Sequence, residues 1–391
     1  MSIYKNIRTI YIIVFFENLI FAYVIERLFA LERGMTVRTI VYAEIIYSVT
    51  VLLLGIPFGA LADMLGRKRM LVLGSLFFCG EWAVLIFARG FWLFGLSALL
   101  AGVGGACVGG ARNALIYDTL YSCGRQDEFE KALGRVYVID IISTVLAGLS
   151  GAVLAGAFGF TFNYWLSVGC VAIAFLFTWK LVEPPRSNAG TTAKTNAVKI
   201  VRAALVFFKT HTDVFWVVIH TALVLACINY VDEFWQVYLN DVSFPLVLFG
   251  VASAVMELTH TPGALLAARL LRRWSHRTLI AASLFLSAAG ILWAALIKSP
   301  LGIIGMAAVC FTVALMEPVT AGYIHRRADP DARATIDSLG SMAQRGFIIV
   351  IGLAFGYLSD RFTIFTGFWL VGVIAAAASL VFLSIKSLRS R

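Results

Sequence analysis

The sequence predicts an all-α membrane protein of twelve transmembrane helices, arranged as two pseudo-symmetric bundles of six. Of its 391 residues, 60% are hydrophobic and only 14% are charged, whereas a soluble domain has about 45–50% apolar and 25% charged residues. Apolar runs recur along the whole chain, and most of them reach the roughly 20 residues that a helix needs to cross a bilayer. Basic residues fall mainly in alternate gaps between these runs. Together these observations predict a polytopic protein.

The apolar runs define the twelve predicted spans one by one. They cover residues 9–30, 40–62, 70–88, 91–119, 133–156, 161–182, 213–239, 245–270, 277–297, 300–324, 338–358 and 364–386. A barrel of strands is excluded, because these runs are about twice as long as a barrel strand. With the N-terminus in the cytoplasm, about 24 Lys and Arg residues fall in cytoplasmic segments and five in outer loops. The positive-inside rule therefore predicts a multi-pass protein of the inner or plasma membrane with both termini cytoplasmic.

A polar linker separates the two predicted bundles. Glu183-Pro184-Pro185 ends the sixth span, and the polar residues that follow cannot form a membrane segment. Residues 198–209 place basic side chains on one face and apolar ones on the other, which predicts a short helix on the membrane surface. The predicted domains are residues 1–183, a cytoplasmic linker at 184–212, and residues 213–391.

Composition also excludes several classes of function. The net charge of +10 is spread over short loops, so it indicates a membrane protein and not a nucleic-acid partner. The six cysteines form no CxxC pair, which argues against metal binding and a disulfide framework. No nucleotide-binding loop, HExxH or GxSxG motif occurs, so an enzyme is not expected. We expect no cofactor. Glu17 within the first apolar run, and the many spans after it, predict an uncleaved first helix and not a signal peptide.

The sharpest motif lies between spans two and three. Residues 59–69 read GALADMLGRKR. Gly59 would permit close packing of helices and Gly66 a tight turn. Asp63 would favour the positive N-terminal end of a neighbouring helix, and Arg67 would pair with a carboxylate on another helix. A degenerate copy, GALLAARLLRR at residues 263–273, occupies the same place in the second half but has no Asp equivalent to Asp63.

This motif resembles the loop signature of the major facilitator superfamily, and the resemblance covers the whole chain. It implies the fold of that family, with spans one, four, seven and ten around a central cavity. It also implies that Asp118 on span four is the partner of Arg67, in a conformational latch formed by Gly59, Asp63, Gly66, Arg67 and Asp118. Residues 31–34 (LERG), Tyr117-Asp118 and Glu317-Pro318 are similar to the bacterial twelve-helix drug:proton antiporters, which include macrolide-efflux-like exporters. Ala98 stands where many drug exporters have an Arg, and span five lacks the proline of their antiporter motif.

Ionisable residues within the spans are candidates for proton or cation coupling, because each is costly in lipid unless it is paired or hydrated. In span one, Glu17 and Glu26 are nine residues apart and would lie about 180° apart on a straight helix. Tyr11, Asn18, Ala22 and Glu26 would then form one polar stripe, so we favour Glu26 as the cavity residue and place Glu17 at a helix contact. A structural hydrogen bond is the alternative for both.

Four more acids and two arginines complete the candidate set. Arg112 on span four would pair with Asp140 on span five, and Glu317 on span ten with Arg345 on span eleven. These would form either static ion pairs or a switching charge relay. Asp232 and Glu233, near the outer end of span seven, would act in a gate or substrate contact, or cap the helix in water. The candidate substrate contacts are Phe15, Asn18, Tyr23, Tyr117, Tyr230 and Trp235, whose aromatic rings would stack on a flat or cationic ligand.

The resemblance implies a monomeric, proton-coupled exporter of small amphiphilic or cationic compounds that works by alternating access in a lipid bilayer. The proton gradient would be its energy source. Three alternatives stay open: uptake of a small metabolite by proton symport, export of a single natural product or siderophore, and a membrane sensor or assembly factor that transports nothing. The sequence does not identify the substrate.

Overall fold

The computed structural model describes residues 3–185, 207, 208, 210–327 and 330–385, and these residues contain α-helices and no strand. Fourteen α-helices follow one another along the described chain. They are α1 Lys5–Asn18, α2 Glu26–Glu32, α3 Val37–Leu65, α4 Arg67–Phe87, α5 Gly90–Val108, α6 Ala111–Ser122, α7 Phe129–Phe158, α8 Phe160–Thr178, α9 Thr212–Asp241, α10 Phe249–Leu270, α11 His276–Ile297, α12 Gly302–His325, α13 Pro330–Arg361 and α14 Ile364–Ser384.

Eleven helical segments of the described chain are long and apolar enough to cross a membrane. Large apolar side chains on them, such as Trp92, Leu296 and Val350, are exposed, which fits a protein surface covered by lipid. The predicted eighth span corresponds to α10, which is not among the eleven. It carries Glu257, His260 and Pro262, which make it more polar than its neighbours. The multi-pass prediction is confirmed, and the count of twelve stays a prediction.

The chain forms two compact units. The first comprises Met1–Thr191 with Pro245–Ala254, and the second comprises Thr192–Phe244 with Val255–Arg391. Residues 245–254 belong to the first unit because α10 begins against α7, where a Cβ atom on Gly250 would lie 2.5 Å from the carbonyl oxygen of Gly148. The predicted surface helix at 198–209 lies outside the described residues, apart from 207 and 208.

Span one is not a continuous helix. α1 ends at Asn18, a 3-10 turn occupies Tyr23–Ile25, and α2 begins at Glu26. Unpaired backbone groups are costly in a membrane, and here side chains of α8 pair with them. The Asn163 amide donates to the carbonyl oxygens of Phe21 (2.9 Å) and Gly151 (2.8 Å). The Ala22 amide donates to the Ser167 hydroxyl (3.2 Å).

The break also depends on a glycine of α7. A Cβ atom on Gly151 would lie only 2.5 Å from the Phe21 carbonyl oxygen. Glycine therefore lets α7 approach the non-helical backbone closely. The predicted polar stripe through Tyr11, Asn18, Ala22 and Glu26 is wrong, because it assumed a straight helix through residues 19–25.

Span four is interrupted as well. α5 ends at Val108 and α6 begins at Ala111, so that Gly109 and Gly110 separate the two helices. A small cavity of about 160 Å³ lies between this interruption and α3, and glycines form much of its wall: Gly55, Gly59, Gly105, Gly109 and Gly110. Both spans that the family resemblance assigned to the cavity in the first half are therefore discontinuous.

Candidate functional site

The predicted contact between Arg67 and Asp118 is present. The Arg67 guanidinium at the start of α4 bonds the Asp118 carboxylate on α6, and it also donates to the carbonyl oxygen of Ala114 at 2.9 Å. The Asp118 side chain is only 2% exposed. Removing one partner of a buried ion pair costs about 3–5 kcal/mol, so this contact ties the loop between α3 and α4 to α6. Its role as a conformational latch stays a prediction.

A second carboxylate, which the sequence reasoning did not assign, holds the same loop. The two carboxylate oxygens of Glu183 accept the backbone N–H groups of Arg67 and Lys68, each at 2.8 Å. These groups form the N-terminus of α4, where Gly66 has no side chain to cap them and where the helix dipole favours a negative charge. The ammonium group of Lys68 in turn donates to the carbonyl oxygen of Trp179 (3.0 Å). The end of span six is thereby fixed to the motif.

Of the two glycines and the acid that we singled out in the motif, Gly66 has the role that we predicted, whereas Gly59 and Asp63 do not. Gly66 has φ of +101°, and a Cβ atom there would lie 3.0 Å from the Glu183 carboxylate, so the predicted turn is confirmed. A Cβ atom on Gly59 would have no described atom within 4 Å, so Gly59 does not serve the close helix packing that we predicted. Asp63 is exposed and caps no helix among the described residues. Glu183 provides the helix-terminal carboxylate instead.

The second unit has an ion pair that the sequence reasoning missed. The Asp213 carboxylate at the start of α9 lies 3.1 Å from Nε of Arg327, which follows α12, and accepts the Tyr323 hydroxyl at 2.9 Å. The Arg327 guanidinium also stacks on the Tyr323 ring, 3.7 Å from its centroid. In the first unit the start of α1 contacts the end of span four similarly, through the Asn6 amide and the Thr119 hydroxyl (3.1 Å). In the sequence, the acid at the start of span seven, Asp213, was the one signal that could have indicated this ion pair.

Arg112 bonds Glu17, not its predicted partner Asp140. Glu17 precedes the end of α1 by one residue and Arg112 follows the start of α6 by one residue, so their ion pair joins the interruptions of spans one and four. The two side chains are 10% and 21% exposed. Asp140 on α7 lies within electrostatic range of both charges but forms no ion pair within the described chain. Glu17 thus does lie at a contact with another helix, as we predicted, and that contact is an ion pair.

Glu26 belongs to a separate group of charges beyond the break. The Arg27 guanidinium lies between two carboxylates, 3.1 Å from Glu26 and 2.8 Å from Glu44 on α3. The side chains of Arg27 and Glu44 are each 13% exposed, and that of Glu26 is 26% exposed. Glu26 therefore lies near a cation in a largely buried group.

The predicted substrate contacts of the first unit are dispersed around the break. Phe15 is partly buried and its ring packs edge-on against Phe16. The Asn18 amide donates to the carbonyl oxygen of Val14 in its own helix (3.1 Å). Tyr23 is 46% exposed and packs against Trp82. Tyr117 lies elsewhere, where it stacks on Tyr121 and contacts Phe129.

Two predicted substrate contacts of the second unit lie in its core. Tyr230 is fully buried, its hydroxyl bonds the carbonyl oxygen of Ile348, and its ring stacks on Phe355. It is a packing residue and not the cavity residue that we predicted. Trp235 is 6% exposed. The aromatic residues of α9 therefore contribute mainly to packing against α13 and α14.

The predicted acids of the second unit lie on two helices, α9 and α12. Asp232 is exposed and Glu233 is partly buried on α9. Glu317 on α12 is exposed and forms no hydrogen bond or ion pair within the described chain, so the predicted pair with Arg345 is absent. Arg345 is partly buried on α13. Among the described residues, no three His, Cys, Asp or Glu side chains are placed to hold a metal ion.

Comparison with known proteins gives the family. The sequence pattern of the Major Facilitator Superfamily matches residues 9–345. An uncharacterized transporter of Buchnera aphidicola is 26% identical over 222 residues, 52% of this chain and 55% of the relative. The multidrug resistance protein MdtH of Cronobacter sakazakii is 27% identical over 154 residues, 38% of this chain and 36% of the relative. The chain thus spans about half the length, or less, of these curated relatives.

Solved structures share the fold over nearly the whole length. A mutant of the nucleoside transporter NupG has a TM-score of 0.84 at 14% identity, and the match covers 97% of this chain and 99% of that one. A D-xylose-proton symporter has a TM-score of 0.73 at 12% identity, covering 97% and 96%. Family pattern, membrane helices and fold agree: the chain belongs to the Major Facilitator Superfamily, and its relatives indicate a transporter rather than an enzyme.

Proposed function

We propose that the protein exports small amphiphilic or cationic compounds in exchange for protons, by alternating access of two six-helix bundles. The observation that carries the proposal is the Glu17–Arg112 ion pair at the interruptions of spans one and four. Helix interruptions inside a membrane place polar backbone and side chains where a ligand can reach them. The name of the relative MdtH supports a drug-like substrate. We expect neither a cofactor nor a protein partner.

The charges around Arg112 are suited to exchange one positive ligand for another. Two carboxylates, Glu17 and Asp140, lie near one guanidinium, so the group has one negative charge in excess when all three are ionised. A proton on Glu17 would remove that excess and weaken the bond to Arg112, which would then be drawn toward Asp140. A cationic substrate would restore the charge balance and displace the proton. Competition between a proton and a cation for one carboxylate is sufficient for antiport.

The experiment is a proton-release assay in proteoliposomes. Vesicles with an acidic lumen and an internal pH dye are challenged with a panel of lipophilic cations and neutral drugs. We expect substrates to trigger proton release with the wild-type protein, and Glu17→Gln to abolish it, because glutamine keeps the polar contact but cannot bind the exchanged proton. The control is Glu128→Gln, an exposed residue of the short segment between α6 and α7 whose ion pair within the described chain is with Arg125.

Two outcomes would contradict the proposal. Substrate-triggered proton release at the wild-type level in Glu17→Gln would show that the Glu17–Arg112 ion pair takes no part in the mechanism. Protons moving in the same direction as the substrate would favour the alternative function, uptake of a metabolite by symport, which is the activity named for the D-xylose-proton symporter.

A further inference from the structure

Three arginines of the second unit lie close together in sequence at the end of α10. Arg269 belongs to the last turn of that helix, and Arg272 and Arg273 lie in the short segment that leads to α11. All three are exposed, and none of their side chains forms a hydrogen bond or an ion pair within the described chain. Trp274, which is 55% exposed, follows them directly. We call residues 269–274 the basic turn.

Backbone hydrogen bonds fix the shape of the basic turn. The amides of Arg273 and Trp274 both donate to the carbonyl oxygen of Leu270, at 3.0 and 2.9 Å. The Ser275 hydroxyl then accepts the amide of Thr278 (3.2 Å) and caps the start of α11. The positive charges are therefore held near one another on a compact turn.

The helices around the basic turn supply no acid to neutralise it. Residues 258–316 contain no Asp or Glu, and α14, which packs along α11, contains no charged residue. Glu317 precedes the end of α12 by eight residues, which is about 12 Å along a helix. Two acids at neighbouring helix ends have partners of their own, Asp213 with Arg327 and Asp337 with His325.

The corresponding turn of the first unit does have counter-charges within the protein. There Arg67 bonds Asp118, and the Glu183 carboxylate accepts two N–H groups at the start of α4. The copy at residues 263–273 has kept basic residues but contains no acid. Charge complementarity therefore favours an anionic partner from outside the chain.

The basic turn lies at the end of an exposed apolar surface. Exposed side chains recur every three or four residues along α11 and include Leu286, Trp293 and Leu296, while Thr278 and Ala282 extend this surface toward the turn. α11 has 22 residues, enough to cross a hydrocarbon layer of about 30 Å. Its exposed surface is suited to contact lipid chains, and the basic turn then lies at the depth of the lipid headgroups.

From these observations we infer that the basic turn binds the headgroups of anionic phospholipids in the cytoplasmic leaflet, the side to which the positive-inside rule assigns it. Guanidinium groups form paired hydrogen bonds with phosphate oxygens, and clustered arginines beside a membrane helix attract anionic lipids. The indole ring of Trp274 is of the type that lies at the membrane–water interface. The inference does not rest on the proposed function, since it concerns a surface of the second unit alone.

The test uses Trp274 as the reporter. The full-length protein is reconstituted in phosphatidylcholine vesicles that contain increasing fractions of brominated phosphatidylglycerol or brominated phosphatidylcholine, which quench nearby tryptophans. The Trp274 signal of each protein is its difference from the same protein carrying Trp274→Phe. We expect the anionic lipid to quench Trp274 at a lower fraction than the neutral lipid. Arg272→Gln combined with Arg273→Gln should lose this preference, because glutamine is polar but carries no charge.

The matched control is Lys131→Gln combined with Arg135→Gln. It removes the same charge from two exposed residues of the first unit, but from a segment, residues 125–135, in which three bases are balanced by three acids. This variant should keep the preference for the anionic lipid at Trp274.

Four outcomes would overturn the inference: equal quenching by the two lipids in the wild type, an unchanged preference in the double arginine variant, loss of the preference in the control variant, and its loss on adding inorganic phosphate. The third would indicate a general effect of surface charge, and the fourth a site for free phosphate. Equal quenching by the neutral lipid in wild type and arginine variant shows that Trp274 still meets the membrane, so a misfolded variant is recognised.

Discussion

Single residues of the loop between α3 and α4 show how one motif combines backbone and side-chain demands. Gly66 must adopt a positive φ and leave room for the Glu183 carboxylate, and Arg67 must reach Asp118 from the first turn of α4. Gly59, seven residues earlier, has open space around it among the described residues. The two glycines of the motif therefore have different roles, and substituting each of them should affect stability differently.

Gly66→Ala should destabilise the protein and Gly59→Ala should not. The first introduces a side chain at φ of +101°, a conformation that costs a non-glycine residue about 1–3 kcal/mol. The second replaces glycine within a helix, which gains roughly 0.5–1 kcal/mol where space allows. A thiol-reactive fluorogenic dye measures both, because Cys107, Cys170, Cys227 and Cys310 are buried and become reactive on unfolding. Equal melting temperatures for the two variants would contradict the role of Gly66.

At the scale of helices, the interruption of span one is maintained by its neighbours. Leu19 to Ala22 include no proline or glycine, so nothing in the local sequence requires a break. Asn163 and Ser167 of α8 satisfy its backbone, and Gly151 allows α7 to come close. The break is thus a tertiary feature, and weakening the contact from α7 should affect the whole first unit.

Gly151→Ala should lower the melting temperature, because its Cβ atom would lie 2.5 Å from the Phe21 carbonyl oxygen and would push α7 away. Gly134→Ala on the same helix is the control, since its Cβ atom meets no described atom within 4 Å. Melting curves with the same dye report the difference. A Gly151→Ala protein as stable as the Gly134→Ala protein would show that α7 and the break are not closely packed.

For the whole molecule, hydropathy and charge predict the topology, and one native cysteine makes it measurable. Cys123 is exposed in the short segment after α6, which the charge pattern assigns to the cytoplasm, whereas Lys298 after α11 is assigned to the outside. Both termini would then be cytoplasmic.

A membrane-impermeant thiol reagent should label Cys123 in inside-out vesicles and leave it unlabelled in intact cells. Lys298→Cys, made in a Cys123→Ser background, should show the opposite pattern. The measurement is the labelled fraction in each preparation. Labelling of Cys123 from outside would invert the predicted orientation and with it the direction assigned to transport.

Features that follow from local sequence or from a recognisable motif could be predicted, whereas contacts between distant residues without such a pattern could not. Spans follow from local hydropathy, and the Arg67–Asp118 contact follows from a motif whose two parts were both recognisable. Glu183 was missed because its role depends on a residue that is 116 positions away in sequence. The polar stripe that included Glu26 was wrong because angular periodicity holds only within one helix, and side chains of α8 stabilise a break between Glu17 and Glu26. Asp213 and Arg327 have no surrounding pattern that indicates their contact.

The bonds of Glu183 have a consequence for protein engineering. Glu183 is followed at once by Pro184 and Pro185, so the chain beyond them starts from a point anchored to the N-terminus of α4. Insertions beyond Pro185 should leave that anchor intact, so tags or reporter domains belong there. An insertion between Thr178 and Glu183 would instead move the carboxylate away from Arg67 and Lys68. Insertions should therefore be tolerated after Pro185, and Glu183 is the residue that sets the N-terminal limit of this tolerant region.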